Sequence, residues 1–165
     1  MTVVCDSTPL IHLSAMGRLD LLAQVFGEVL IPEAVYREVV DQGVGLPGAR
    51  EVAAASYLRV RPDPAPPAAL PGARRLGAGE RACLALALEL SASLVVMDDL
   101  LARRVAAALG LAVTGTVGIL LSAARRQLVE FEPAFDQLLA SGFRLKHEEQ
   151  QRIRALWRTA AGKED

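Results

Sequence analysis

The stretch GAGERACLALALELSASLVVMDDLLARRVAAALGLAV, Gly77 to Val113, decides the fold by its apolar rhythm. Its first part, GAGERACLALALELSAS, reads as a mostly buried helix, with Cys83, Leu84 and Ala87 on one stripe. Leu94–Met97 is then a continuous apolar run of strand length. Residues 100–109 resume a helical pattern that stops near Gly110, and LAV gives a further short strand. A strand that is apolar at every position is buried on both faces. That is the mark of a parallel sheet covered by helices.

The same alternation extends in both directions. Thr2–Cys5 is a β-branched apolar run, and Asp6, Ser7, Thr8 and Pro9 open the helix that LIHLSAM continues. Val29–Ile31 is a second run, closed by Pro32 at the head of the helix PEAVYREVVDQ. Leu58–Val60 predicts a small strand. RPDPAPPAALPGARR follows as a proline-rich connector without regular structure, looping over the surface rather than dividing two domains. TGTVGILLSAARRQ predicts another helix. The remainder reads as a helix around Pro133–Ser141, a turn at Gly142, a brief FRL segment and a charged helix from His147. The class is α/β.

Composition sets the outer limits. At 165 residues, 52% of them hydrophobic, the chain makes one domain with a real core. The formal net charge is −1, so bulk charge argues neither for nor against a nucleic-acid partner. Aromatic residues amount to 4%, which speaks against a base-stacking platform. Cys5 and Cys83 lie inside apolar runs and read as buried thiols of a reduced protein, not as metal ligands or a disulfide. The chain opens on MTVVCDS rather than on a signal-type segment, and no apolar run has bilayer length. A cytoplasmic protein without membrane association is expected.

Parallel topology fixes directions: every strand ends at one common edge, and the helix after it starts there. Asp6 lies just past the first strand, and Asp98 and Asp99 just past Leu94–Met97. Glu38 is in the second turn of the helix that opens after Val29–Ile31, and Glu80 is in the first turn of the helix leading into Leu94–Met97. Four segments thus bring carboxylates to one rim. Glu80 lies in line with Cys83, Leu84 and Ala87 and points along a core-facing stripe, whereas Glu38 could face either way. Helix capping explains one of Asp98 and Asp99 but leaves the other over.

Clustered carboxylates repel, and a hard cation such as Mg2+ or Mn2+ resolves this with oxygen ligands. Such ions can activate water and stabilise a leaving oxygen in phosphodiester hydrolysis. Ser7, Thr8, Thr114 and Thr116 are neutral hydrogen-bonding groups of the same rim, candidates to hold a water or a phosphate. Arg103 and Arg104, in the helix after the two aspartates, could reach a phosphate backbone. His12, in an apolar helix, reads as a satisfied core or interface residue.

Five segments in order, VVCDSTPLIHL, IPEAVYREV, GAGERACLALAL, VVMDDLLARRVA and VTGTVGILL, resemble a PIN domain over roughly Val3 to Leu145. The resemblance is nearest to the branch with a D-S-x-P-L-I start and a G-E-x-x-A-x-x-L-A centre, a relative of VapC-type toxin ribonucleases. It implies a three-layer α/β/α sandwich around a central parallel sheet, over residues 1–146, with residues 147–165 as a charged C-terminal helical tail. It further implies metal-dependent cleavage of single-stranded RNA by an acidic pocket binding Mg2+ or Mn2+. By motif, Asp6, Glu38, Glu80 and Asp99 are the catalytic acids, and Asp6, Glu80 and the Asp98/Asp99 pair the metal-ligating ones. The family's Thr-x-Asp motif places Met97 at the Thr and Asp99 at the metal acid, leaving Asp98 as an outer or capping group. A toxin of this kind is expected to form a homodimer and to be inhibited by a small antitoxin protein.

The tail carries a second basic group, Arg144, Lys146, Arg152, Arg154 and Arg158. Interleaved Ile153, Leu156 and Trp157 form an apolar stripe that reads equally well as a partner or dimer surface. The competing reading of the whole chain is a non-catalytic PIN-derived nucleic-acid or protein-interaction module. Two other Mg2+ phosphotransfer folds are excluded by sequence. Asp6-Ser7-Thr8 lacks the second Asp of a haloacid dehalogenase-like phosphatase, and no Lys precedes Lys146, as a receiver domain requires.

Overall fold

Val3–Cys5, the first apolar run, forms β1 at the centre of a five-stranded sheet whose order is β3-β2-β1-β4-β5. The computed structural model describes residues 1–65, 70 and 72–162. β2 is Val29–Pro32, β3 Leu58–Arg61, β4 Leu94–Val96 and β5 Val113–Thr114. Every pairing is parallel, with Val4 opposite both Leu30 and Val95, and Val96 opposite Thr114. Val3, Val4, Cys5, Val95 and Val96 are fully buried, as expected of strands covered on both faces.

Helices complete a three-layer α/β/α sandwich. α5 (Ala78–Glu89) lies across β1, β2 and β4, with α3 (Glu33–Tyr36) beside it. α1 (Ser7–Ala15), α2 (Leu21–Phe26), α7 (Thr116–Arg125) and α8 (Phe131–Ala140) pack with one another, α4 (Ala49–Ala54) joins α1, and α6 (Leu100–Ala108) lies on β5. α3 runs directly into a π-helical turn, Arg37–Asp41. Such turns often occur at functional sites. Here it keeps Val35 and Val39 both buried while carrying Glu38.

Two local expectations shift. β5 begins at Val113, two residues beyond the start of LAV, and the Ala112 and Thr114 carbonyls on either side accept the Val95 and Met97 N–H groups of the neighbouring strand. The proline-rich connector contains one 3-10 turn, Ala73–Arg75, which starts where Gly72 takes a positive φ of 74°. Residues 66–69 and 71 of that connector lie outside the described residues.

The tail is a helix, α9 (His147–Ala160), laid against α8. Arg154 pairs with Glu132 and, at 2.7 Å, with Asp136, and its guanidinium sits 4.8 Å over the Phe135 ring. Trp157 stacks on Phe131 at 5.1 Å between ring centres. The stripe expected for a partner is therefore used largely within the chain: Ile153 and Trp157 pack on the core, and Leu156 alone of the three stays exposed. Among the described residues no helix is long and apolar enough to cross a membrane. Cys5 and Cys83 are free and fully buried, as expected.

Candidate active site

Asp6 follows β1 at the N-cap position of α1, with extended backbone at φ −85° and ψ 173°. The backbone geometry is that of a cap, yet its side chain makes no capping hydrogen bond. It turns instead into the space between the strand ends and is only 3% exposed. Burial pushes its carboxyl up to about 7, only partly offset by the Ser7 backbone N–H. The charges of Glu80, Glu38 and Asp98 add to the upward shift. The Cys83 thiol beside it, 3.9 Å from Oδ1, is a weak donor and is itself held protonated by burial.

The two aspartates after β4 divide their work, and not as the motif register has it. Asp99 is the N-cap of α6: its Oδ1 accepts the Ala102 N–H at 2.9 Å, and the residue is exposed. Asp98 is the inward group. Its Oδ1 accepts the Thr116 N–H at 2.7 Å, and its Oδ2 accepts the Thr116 hydroxyl at 2.6 Å. The reason lies in the backbone. β4 stays paired to β5 through Met97, whose N–H reaches the Thr114 carbonyl, so Asp98 emerges level with the start of α7. Asp99, one residue on, already has the extended conformation from which a side chain caps a helix. Met97, aligned by motif with a hydroxyl residue, is fully buried in the core. Burial raises the Asp98 pKa, and its bonds to Thr116 oppose the rise.

Glu38 comes in from the π-helical turn. Its Oε2 accepts the buried Ser7 hydroxyl at 2.8 Å and sits so close over α5 that a Cβ on Gly79 would lie 2.8 Å from it. Glu38 as a residue stays exposed, and it is this one oxygen that reaches the rim. Glu80 is half-buried and turns back on its own helix, accepting the Gly77 N–H at 2.7 Å. Cys83, Leu84 and Ala87 on its stripe are fully buried, as expected. Gly115 is a second close approach: a Cβ there would lie 2.6 Å from both Asp98 Oδ1 and Arg103 Nη1. Arg103 thus stands at the edge of the acids without an ion pair among the described residues.

The remaining candidates sort plainly. Ser7 and Thr116 are buried and orient Glu38 and Asp98. Thr114 packs its hydroxyl on Gly118, Thr8 is half-buried, and Arg104 is exposed on α6. Two further residues lie beside the acids: His12, hydrogen-bonded as its sequence reading expects, and Phe143, which sequence reasoning missed. His12 holds Ser141 Oγ through Nδ1 at 2.8 Å, and the Ser141 hydroxyl proton goes to the Leu138 carbonyl, so Nδ1 carries the imidazole proton. Burial lowers the His12 pKa, and the Asp98 charge opposes this. Phe143 meets His12 edge-on at 5.1 Å. Phe143 has no local signal: it lies in the FRL segment, far along the chain from the acidic motifs.

A family model described as "DUF3368: PIN domain" matches residues 2–159. The chain belongs to the PIN-domain family. No curated protein and no solved structure matches it. PIN domains are generally nucleases that use divalent metals, so the donor set can be tested against such an ion. Its chemistry fits: four carboxylates share one rim, and the most buried of them, Asp6, has no Lys or Arg partner among the described residues. As the side chains stand, no three His, Cys, Asp or Glu groups among the described residues are placed to hold a metal. Glu38, Glu80 and Asp98 are each held by their own hydrogen bonds to Ser7, Gly77 and Thr116.

Proposed function

We propose that this PIN domain is an endoribonuclease, dependent on Mg2+ or Mn2+, that hydrolyses phosphodiester bonds of single-stranded RNA. The observation that carries this reading is Asp6, a carboxylate only 3% exposed that lies beside three others at one rim and makes no ion pair with Lys or Arg among the described residues. Asp6, Asp98 and Glu80 are the proposed metal-holding residues, with Glu38 completing the acidic set, and Asp99 is left to the cap. A bound divalent cation supplies the missing positive charge and Lewis-acid stabilisation of charge developing on the phosphate. The chain supplies the rest. Thr116 fixes both oxygens of Asp98, Ser7 fixes Glu38, and Arg103 is free to take a phosphate oxygen at the rim.

The test is purified protein with Mn2+ and a labelled single-stranded RNA, with Asp6→Asn as control. Cleavage that needs the ion and disappears in the variant supports the reading. No cleavage by refolded protein freed of any antitoxin overturns it, in favour of a non-catalytic PIN-derived interaction module. We extend the proposal to a cytoplasmic toxin that forms a homodimer and is silenced by a small antitoxin. Induced expression should then arrest growth, and a small protein encoded beside it should relieve the arrest.

A further inference from the structure

The basic group of the tail splits in two. Arg154 and Arg158 are occupied by Glu132 and Asp136 on α8 and anchor α9. Arg144 and Lys146 are exposed and Arg103 on α6 is half-buried, and none of the three has an ion pair among the described residues. These three cations line a groove. A cavity of about 410 Å3 begins at Asp98 and Arg103 and runs to Phe143 and Arg144, with Ile153 of α9 in its wall. A second, of about 520 Å3, shares Phe143, Arg144, Leu145 and Glu149 with the first and continues to Lys146. Both volumes fall in the range of about 300–1,000 Å3 typical of ligand sites.

From this juxtaposition we propose that the Phe143–Lys146 segment, held in place by α9, is the track for the RNA strand beside the scissile phosphate. One base packs on Phe143, and backbone phosphates lie on Arg103, Arg144 and Lys146. The inference rests on the ribonuclease reading above and names where that substrate lies. The chemistry matches a single strand: an aromatic ring and apolar floor take a base face, and unpaired cations follow the backbone. It also qualifies the compositional expectation, since a single aromatic residue at the right place serves one base although the chain holds few. His12 fixes the ring by its edge contact, which leaves the segment ordered before RNA arrives. Glu149 is the one acidic group shared by the two cavities, and it opposes a polyanion there.

The experiment measures binding of a fluorescein-labelled single-stranded RNA of about ten nucleotides, a length within the span of one binding module. Binding is read by anisotropy in EDTA, and cleavage of the same RNA is followed separately in Mn2+. Phe143→Ala should weaken binding about tenfold and Phe143→Trp should restore it. Arg144→Ala should lower the salt dependence of binding by about one phosphate contact, and Glu149→Gln should tighten binding about threefold. Arg144 and Glu149 are surface positions, so their variants report even where Phe143→Ala does not fold, which a thermal melt reveals. If wild-type protein cleaves RNA and all four variants bind as it does, the track is refuted while the nuclease reading stands. Binding weakened in Phe143→Ala and Arg144→Ala and tightened in Glu149→Gln, with no cleavage by wild type, keeps the track and refutes the nuclease. Wild-type protein that neither binds nor cleaves refutes both.

Discussion

Replacing Asp6 by Asn should make the metal-free protein more stable at neutral pH while abolishing its response to divalent cations. The folded carboxyl sits at about 7 against an ordinary value of 3.8, mainly through burial. Three units at about 1.4 kcal/mol each set an upper bound of roughly 4 kcal/mol, and relaxation of the acids around the charge reduces it to about 2. The folded pKa is raised, so the native state holds a proton that the unfolded chain has released. The stabilisation this brings is full below about pH 4 and is lost as pH rises through about 7. Wild-type protein in EDTA should therefore lose stability across that window relative to the Asn variant, whose side chain does not titrate. For 165 residues the unfolding entropy is about 0.35 kcal/mol/K, so about 2 kcal/mol corresponds to a Tm difference of about 6 °C at neutral pH. Mn2+ at about a hundredfold its Kd should add about 2.7 kcal/mol, or about 8 °C, to wild type and little to the variant. Thermal melts at several pH values, with and without Mn2+, make the measurement. An Asn variant that is less stable than wild type in EDTA at neutral pH, or equally responsive to Mn2+, would refute the reasoning.

Three other substitutions divide the site. Asp99→Ala should cost about 1 kcal/mol through loss of the α6 cap and leave cleavage within a few-fold of wild type, whereas Asp98→Asn should abolish cleavage. Denaturant unfolding beside an RNA cleavage assay separates the two. Gly115→Ala puts a methyl group 2.6 Å from Asp98 Oδ1 and Arg103 Nη1, although its own backbone at φ −125° and ψ −173° tolerates a side chain. Activity should drop by at least tenfold, with a stability change of about 1–2 kcal/mol, read by the same pair of assays. Glu80→Gln can still accept the Gly77 N–H, so stability should hold within about 0.5 kcal/mol while cleavage falls sharply. An active Gln variant would assign Glu80 to capping alone.

The fold was legible because its strands carry unambiguous signals. Val3–Cys5 and Leu94–Val96 are apolar at every position, and Asp6, Pro32 and Gly110 mark the ends of neighbouring elements. Short helices were harder to see. α2 and α4 are six residues each, too brief to establish a period against the loops around them. The π-helical turn at Arg37–Asp41 is likewise invisible in a pattern that assumes one helical repeat, and it is this turn that carries Glu38. The rim was legible because topology, not detail, sets it: a parallel sheet delivers the residues after β1 and β4 to one edge.

What the sequence leaves open at that rim is which oxygen faces which donor, and the two aspartates show why. Asp98 and Asp99 are chemically identical neighbours, so neither spacing nor composition distinguishes them. The distinction arises from one more residue of strand pairing. Because Met97 still bonds to Thr114, Asp98 is carried to the start of α7, where the Thr116 N–H and hydroxyl are free to meet it. Asp99 then has the backbone angles of a cap and takes the Ala102 N–H. Glu38, Glu80 and Asp98 each accept a hydrogen bond from a neutral donor, the Ser7 hydroxyl, the Gly77 N–H and the Thr116 N–H and hydroxyl. Asp6, which is more buried than any of them, has only the Ser7 N–H and a thiol to offset its own burial. An electrostatic deficit of that size at the centre of four acids has to be met either by a proton or by a cation. The two are distinguishable, because a proton is lost as pH rises through about 7 and a divalent ion binds more tightly there.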